Sequence, residues 1–393
     1  MSHFIYADHA ATTAVSDTAL QAMLPHFTTA YGNPSSLYRF AQEGKTDLER
    51  ARAEIAACLN ARPEEIYFTS GGTEADNWAL RGVAELMALK GRKGGHIITS
   101  AIEHHAVLHT AQYLEKQGYE VTYLPVDGRG LVDPAALEGA IRPDTILISI
   151  MAANNEIGTI EPVAELGRIA RAHKVLFHTD AVQAVGHIPV DVRKLDVDAF
   201  SLSGHKFHGP RGIGALYLRE GFSIPPLIAG GAQERGERAG TENLAGIVGM
   251  AAALEEACEH LTADMTRIST LRDALIGHLM EHVDGLTPTG APIAAGLDDR
   301  LPSIASFTCD DVDGELLVVL LDRAGVAAAT GSACSTGSTE PSHVLTAMGI
   351  PAPTARGALR LSLASNVTAE DIALLSERVP TCIRKARLIS GMQ

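Results

Sequence analysis

Short apolar segments alternate with helix-like segments through about the first 220 residues of this chain. Strands that alternate with helices in this way are joined by crossover connections. They therefore form a mainly parallel sheet with helices on both faces. The sequence predicts an α/β fold on this basis. The predicted strands are 66–69, 96–100, 119–125, 145–151, 174–177 and 197–202.

Polar residues follow several of these strands, at the point where each strand ends. In open α/β sheets, ligands bind outside the carboxyl ends of the strands. Five independent placements agree, and we therefore expect these side chains to form one ligand site. The five residues are Thr73, His104, Asn155, Asp180 and Lys206.

Lys206 lies in a glycine-rich stretch, between the strand predicted at 197–202 and another predicted at 212–218. A lysine amine held out of bulk water at a strand end loses its proton easily and forms a Schiff base with a ligand carbonyl. The alternative is a surface lysine in a hairpin turn, which is the ordinary environment of a lysine. Residues elsewhere in the chain favour the first interpretation.

Asp180 follows the apolar run 174–177. An aspartate at the end of a buried strand is costly unless it meets a cation, and a protonated pyridine nitrogen is such a cation. A Schiff-base lysine paired with an aspartate on the pyridinium nitrogen is what proteins contribute to pyridoxal 5′-phosphate (PLP) chemistry. Alternatively, or in addition, Asp180 caps a helix. Together with Lys206, it predicts PLP as the cofactor.

The segment Ser70-Gly-Gly-Thr73 joins a predicted strand to a helical pattern. A strand, a glycine turn and a helix in succession point backbone N–H groups at an anion. No lysine follows the glycines and the GxGxxG pattern is absent, so this is not a nucleotide-binding loop. Alone, the segment is best interpreted as a plain connection. Beside Lys206 and Asp180, it is predicted to bind the cofactor phosphate, with Thr73 adding a hydroxyl group.

Two more residues are candidates for contact with the pyridine ring. His104 is the first imidazole after the strand 96–100, and we predict that it lies flat on the ring. Asn155 is predicted to hydrogen-bond the ring oxygen, unless it forms an ordinary Asx turn. His105 and His109 have a helical spacing that permits metal binding, but no further ligand set accompanies them, so no metal site is predicted.

The strand and helix pattern restarts beyond residue 285 as a smaller α/β unit, after a long helical region at 244–283 that we expect to be broken once. Arg360, on a late predicted strand, is a candidate for a bidentate grip on a substrate carboxylate, and a structural salt bridge is an equal alternative. Cys334 lies in a Gly/Ser/Thr-rich loop before a predicted helix, where exposure near a helix N-terminus favours the thiolate. The alternative is an incidental cysteine in a flexible linker.

The formal net charge of −15 argues against binding to nucleic acid or an anionic membrane, because phosphate contacts need clustered Lys and Arg. The chain contains neither a secretory signal nor an apolar run of about 20 residues. We therefore expect a cytoplasmic protein. The five cysteines have no CxxC spacing, so neither a disulfide framework nor a zinc cluster is predicted.

Ten short motifs spread over nearly the whole chain resemble those of the cysteine desulfurases, in the NifS/IscS-like branch of the class-V aminotransferase-like, PLP-dependent family. Two departures stand out. Ala364 replaces a frequent glycine, and the segment 387–393 does not resemble the tail that some relatives use to dock an iron–sulfur scaffold. The motifs are Ala10-Ala-Thr-Thr13, Gly32-Asn-Pro-Ser35, Thr69-Ser-Gly-Gly-Thr-Glu74, Glu103-His104, Asn154-Asn-Glu-Ile-Gly158, Asp180-Ala-Val-Gln183, Ser203-Gly-His-Lys206, Glu237-Arg-Ala-Gly-Thr241, Gly331-Ser-Ala-Cys334 and Arg360-Leu-Ser362.

The resemblance implies a role for each matching residue. Lys206 would carry the cofactor, His104 would stack on the ring and move protons, and Cys334 would accept the sulfur. Arg360 would bind the substrate carboxylate. The residues implied in cofactor binding are Thr73, Asn155, Asp180, Gln183, Ser203, His205, Lys206 and, from the neighbouring subunit, Thr241.

The resemblance also implies the PLP-dependent transferase fold type I, with a large PLP-binding domain at 15–255 and a small domain made of 1–14 and 256–393 that carries the cysteine loop. The implied reaction takes sulfur from L-cysteine and gives L-alanine and a persulfide on Cys334. A homodimer would pass that sulfur to an acceptor protein such as an iron–sulfur scaffold. Three alternatives stay open: a selenocysteine lyase, an aminotransferase, for which Cys334 would be superfluous, and a catalytically silent PLP-binding subunit.

Overall fold

The computed structural model describes residues 3–293, 296, 298–331 and 340–391. The strands are β1 Ile5–Tyr6, β2 Ile66–Thr69, β3 His96–Ser100, β4 Glu120–Leu124, β5 Thr145–Ser149, β6 Leu176–Asp180, β7 Ala199–Ser203, β8 Gly214–Leu218, β9 Leu286–Pro288, β10 Ile304–Cys309, β11 Val326–Ala327 and β12 Ala358–Ser362. The α-helices are α1 Asp17–Met23, α2 Pro25–Thr28, α3 Arg39–Cys58, α4 Gly72–Leu89, α5 His105–Lys116, α6 Pro134–Ala140, α7 Val163–Ala172, α8 Val192–Leu195, α9 Leu244–His282, α10 Gly314–Arg323, α11 His343–Ala347, α12 Ala352–Ala355 and α13 Ala369–Ser390.

The main sheet has seven strands in the order β2-β8-β7-β6-β5-β3-β4. The strands from β7 to β4 are parallel, whereas β8 is antiparallel to both of its neighbours. Because β2 and β7 are both antiparallel to β8, β2 runs in the same direction as the five parallel strands. The carboxyl ends of six strands therefore lie at one edge, and the predicted, mainly parallel sheet is confirmed.

The strands of this sheet are apolar on both faces because helices cover both. Neighbouring residues on a strand point to opposite sides, so Ile97 and Ile98 of β3 enter different cores. Ile97 packs in the cluster that contains Trp78 of α4, and Ile98 in the cluster that contains Ile55 of α3. Each fully buried side chain of this kind contributes about 1.5–3 kcal/mol relative to exposure.

The long helix α9 is continuous over 39 residues, so the predicted break in it was wrong. Its first part packs in the core of the main sheet through residues such as Ile247, and its last part packs in a separate core through residues such as Leu275. Between them, residues 255–264 contain no buried position. The apolar stripe is therefore interrupted where the helix passes from one core to the other, while its backbone stays helical. No helix in the described part of the chain is both long and apolar enough to span a membrane.

The second core surrounds a three-stranded antiparallel sheet in the order β12-β10-β9. The strand β1 joins this region through parallel pairing with β11, and Asp8 bridges to Ser362 at the end of β12. The last helix begins with a capping box, in which the Thr368 side chain accepts a hydrogen bond from the Asp371 N–H group. These contacts support our proposal that residues 1–14 group with 256–393 as the small domain.

Candidate active site

A cavity of about 260 Å³ opens at the carboxyl edge of the main sheet. Nine of the eleven predicted site residues line it, although they come from segments spread over almost the whole chain. Thr241 is exposed in the segment before α9 and does not line this cavity, and Cys334 lies outside the described residues. The nine are Thr73, His104, Asn155, Asp180, Gln183, Ser203, His205, Lys206 and Arg360.

Lys206 ends a short 3₁₀ turn that follows β7 directly. Its Nζ atom donates hydrogen bonds to the backbone carbonyls of Ala10 and Ala11, at 2.7 and 2.8 Å. Gln183 Nε2 donates to the same Ala10 carbonyl at 2.9 Å. The segment that contains Ala10 therefore forms one wall of the cavity and fixes where the lysine amine lies.

Asp180 is the last residue of β6 and is buried. Its Oδ1 atom accepts a hydrogen bond from the Val182 N–H group at 2.9 Å, in a turn that does not continue as a helix. The helix-cap alternative for Asp180 was therefore wrong, although the carboxylate does close a turn. Burial raises the pKa of Asp180 to about 6, and the nearby Lys206 opposes that rise.

His104 is the N-cap residue of α5, and its Nδ1 atom accepts a hydrogen bond from the Ala106 N–H group at 3.2 Å. Burial, together with the positive charge of Lys206, lowers the pKa of His104 to about 4. The imidazole is therefore neutral near pH 7. Because Nδ1 accepts, its one proton lies on Nε2.

The N-terminus of α4 lies at one end of the site. Gly71 precedes this 18-residue helix with a φ of 154°, and Thr73 lies in its first turn. A Cβ atom added at Gly72 would lie 2.5 Å from Val182 Cγ2, so a larger residue would not fit there. The hollow beside the helix is also lined by Ser203, His205 and Arg211. Helix N–H groups, hydroxyls and a guanidinium suit a phosphate group.

Arg360 lies on β12 with 1% of its surface exposed. Its Nη2 atom lies 2.7 Å from Asp8 Oδ1, and its Nη1 atom donates to the Gly331 and Asn155 carbonyls at 2.8 and 2.9 Å. The structural salt bridge considered for Arg360 is therefore present. Its Nε atom, however, is buried and has no hydrogen-bond partner among the described residues. The same side chain lines the cavity.

Five polar side chains that were not predicted as site residues also line the cavity: Asp76, Glu103, His105, Glu156 and His343. Asp76 follows Gly72 by four residues on α4, so helical spacing could have placed it on the same face. Glu103 adjoins His104, and burial raises its pKa to about 8. No sequence signal locates His343, whose Nε2 atom lies 3.0 Å from the Glu103 carbonyl, 240 positions away.

These residues match the phosphate, the ring nitrogen and the aldehyde carbon of PLP. The N-terminus of α4 offers donors suited to a phosphate, Asp180 offers a buried carboxylate, and the Lys206 amine lies in the same cavity. In PLP enzymes these three groups hold the phosphate, the pyridinium nitrogen and the aldehyde carbon, respectively. The fold and the site thus define a PLP-dependent enzyme.

Comparisons with known proteins agree with this conclusion. The family model "Aminotransferase class-V" matches residues 5–375. The cysteine desulfurase IscS of Methanosarcina thermophila is 51% identical over 392 residues, which cover 99% of this chain and 94% of the relative. The cysteine desulfurase NifS of Azotobacter vinelandii is 43% identical, over 98% of this chain and 94% of the relative.

Solved structures give the same result. A structure titled "NIFS-LIKE PROTEIN" superposes with a TM-score of 0.88 at 40% identity and covers 100% of both chains. One titled "SspA in complex with cysteine" superposes with a TM-score of 0.79 at 36% identity, over 91% of this chain and 98% of that one. The chain belongs to the class-V aminotransferase family and, within it, to the NifS/IscS-like cysteine desulfurases.

Proposed function

We infer that this protein removes sulfur from L-cysteine, giving L-alanine and a persulfide on Cys334. The observation that carries this inference is the joint presence of Lys206, Asp180 and His104 around one cavity, in a chain 51% identical to a protein named as a cysteine desulfurase. A structural relative whose title includes bound cysteine supports the choice of substrate.

PLP bound through Lys206 would supply an electron sink for the Cα–H bond of the substrate. The chain's own residues divide the remaining work. Asp180 would hold a proton on the pyridine nitrogen through its charge. In the described geometry, His104 Nδ1 is occupied and its Nε2 atom carries a proton. We therefore assign removal of the Cα proton to the Lys206 amine, and to His104 a hydrogen bond donated from its Nε2–H group.

Substrate orientation is assigned to Arg360. Its Nε atom, which has no partner within the described ranges, is a donor in a guanidinium whose other nitrogens are already fixed. A bound cysteine carboxylate would satisfy this donor, and it would compete with Asp8 for the positive charge.

Cys334 is the proposed sulfur acceptor. Its thiolate would attack the sulfur of the bound cysteine and form an S–S bond, while the C–S bond breaks and leaves its electron pair on the substrate carbon. Protonation of that carbon and return of a proton to Cα give L-alanine. The sulfur then bound to Cys334 has the oxidation level of elemental sulfur and can pass to another thiol.

We further propose a cytoplasmic homodimer that delivers sulfur to an acceptor protein such as an iron–sulfur scaffold. The exposed position of Thr241, outside the cavity of its own chain, suits a residue that completes a neighbouring site. The thiols of Cys58, Cys258, Cys309 and Cys382 are all free, as expected in a reducing compartment. The −15 charge favours proteins over nucleic acids as partners.

The deciding experiment measures L-alanine released by the purified protein from L-cysteine with a thiol reductant present. We expect one alanine for each sulfide, and no pyruvate. Release of alanine from L-selenocysteine alone would favour a selenocysteine lyase, and no release from either substrate would indicate a silent PLP-binding subunit.

A further inference from the structure

Asp76 is a second buried aspartate beside Asp180. It lies on α4 with 1% of its surface exposed, and it lines the same cavity. One ligand atom from each of Asp76, His104 and Asp180 lies within 4.8 Å of the other two. These groups are close enough to surround a cation, and the protonated ring nitrogen of the cofactor is the cation that this fold brings to Asp180.

A chain of buried polar side chains leads to Asp76 from within the sheet. Ser149 Oγ lies 2.9 Å from His178 Nδ1, and His178 Nε2 lies 2.9 Å from Ser201 Oγ. Ser201 in turn neighbours the Asp76 carboxyl group and lowers its pKa, against the larger effect of burial. The three residues occupy β5, β6 and β7 and are fully buried. Ser149 pairs with His178, and Ser201 pairs with Asp180, which is two residues beyond His178 on β6. The three side chains therefore point to the same face of the sheet, the face that carries Asp76 of α4.

The direction of these hydrogen bonds follows from the groups at the two ends. If Ser201 donates to Asp76, it must accept from His178 Nε2–H, and His178 Nδ1 then accepts from the Ser149 hydroxyl. Burial lowers the pKa of His178 to about 3, so the ring is neutral and has one proton to donate. Every member of the chain is then satisfied except Asp76 Oδ1, which is buried and has no partner in the described part of the protein.

The surroundings of Asp76 favour its uncharged form. Its only ion-pair neighbour within the described ranges is the neutral His178, at 3.6 Å. The charges of Asp180 and Glu103 add to burial in raising the pKa of Asp76 well above its ordinary value. Asp180, by contrast, accepts the Val182 N–H group and is attracted by Lys206, so it is the carboxyl group of this pair that ionises first.

We propose that Asp76 is a positioning residue, which remains a neutral carboxylic acid and donates its Oδ1 proton to the Asp180 carboxylate. That hydrogen bond would stabilise the charge of Asp180 and fix its orientation toward the ring nitrogen. A buried neutral carboxyl group that donates to its neighbour is an established way to hold a charge in an apolar site. This inference rests on the PLP assignment but not on which substrate is turned over.

The first test uses the holoenzyme labelled with ¹³C at the aspartate carboxyl carbons. The resonance that is absent from the Asp76→Asn spectrum belongs to Asp76. We expect it to keep the chemical shift of a protonated carboxyl group at the working pH of the holoenzyme, where an ordinary aspartate is ionised. A resonance at the ionised position at that pH would overturn the proposal.

The second test measures how fast the holoenzyme loses PLP to a trap in solution. Asparagine keeps a donor toward Asp180, so Asp76→Asn should release PLP within about threefold of the parent rate, whereas Asp76→Ala should release it about tenfold faster or more. Equal rates for the parent and Asp76→Ala would refute the role, as would equally fast loss from both variants. If Asp76→Ala does not fold, the Asn variant and the carboxyl resonance still decide.

Glu161→Gln is a matched control for this test. Glu161 is also a buried acid with one oxygen that has no partner among the residues described, but it does not line the cavity. Its replacement should leave the rate of PLP release unchanged, and a change as large as that of Asp76→Ala would assign the effect to general packing. Neither readout requires turnover, so a protein that released no alanine from cysteine would leave the test intact.

Discussion

Arg360 and Asp8 are 352 positions apart in the sequence, yet Arg360 Nη2 lies 2.7 Å from Asp8 Oδ1. The pair joins β12 to the segment that follows β1, beside the cavity. A substrate carboxylate that binds Arg360 must therefore share the guanidinium with Asp8. This relationship gives two variants with opposite expected effects.

Arg360→Lys should raise the KM for L-cysteine about tenfold or more, because an ammonium group cannot reproduce a planar, forked donor. Asp8→Asn should lower that KM about threefold, since it removes a competing charge and keeps the side-chain shape. Steady-state kinetics on both variants, with PLP content measured as a control, would check this. An unchanged KM in Arg360→Lys would remove Arg360 from substrate binding.

Lys206 should be the only lysine that borohydride reduction links to the cofactor. Its amine is in the cavity with Asp180, and a Schiff base becomes a stable secondary amine on reduction. Peptide mapping of the reduced protein would locate the label, and Lys206→Ala should abolish it. A label on any other lysine would contradict the site described here.

Cys334→Ser should retain PLP and still change its absorption spectrum with L-cysteine, but lose about 100-fold or more of alanine formation. A serine hydroxyl stays protonated at neutral pH and is a poor sulfur acceptor. Cys58→Ser is the control, because Cys58 is half-buried at the end of α3 and does not line the cavity. Alanine formation at the parent rate by Cys334→Ser would exclude the persulfide mechanism.

Thr241 is expected to complete the phosphate site of a partner subunit. Co-expression of Lys206→Ala and Thr241→Ala chains with different tags would give a mixed dimer. If Thr241 acts across the interface, one of the two sites is intact and about half of the parental activity returns. If Thr241 acts within its own chain, each site has one defect, and the mixed dimer should be no more active than its parents.

Glu161 should make the protein less stable as the pH rises. Burial raises its pKa to about 8, so the folded state keeps a proton that the unfolded state releases near its ordinary value of 4.5. The free energy of unfolding therefore falls between about pH 4.5 and pH 8. Glu161→Gln should remove that part of the pH dependence. The melting temperature of the variant, relative to that of the parent, should therefore rise from pH 5 to pH 8. A constant difference across this range would show that Glu161 does not titrate there.

Local sequence determined most of the fold and the composition of the site. The alternating pattern located the strands of the main sheet within a few residues, since burial on both faces requires continuous apolar segments. Because parallel strands end at one edge, residues that follow them, such as Asp180 and Lys206, were predicted to meet. The cap at Thr368 is also encoded locally, because a capping box is a contact between residues three apart.

Only the tertiary structure decided which distant groups meet and what their charge states are. The pairs Arg360–Asp8 and His343–Glu103 join segments with no periodic relation to each other, so no local pattern encodes them. The continuity of α9 was hidden because its buried stripe changes partner between two cores, and an interrupted stripe looks like a helix end. In the sequence, Asp76 is an ordinary residue of a predicted helix. Packing against the sheet buried it beside Asp180 and away from any Lys or Arg partner among the described residues, and burial of this kind, rather than residue type, sets the pKa of a carboxyl group.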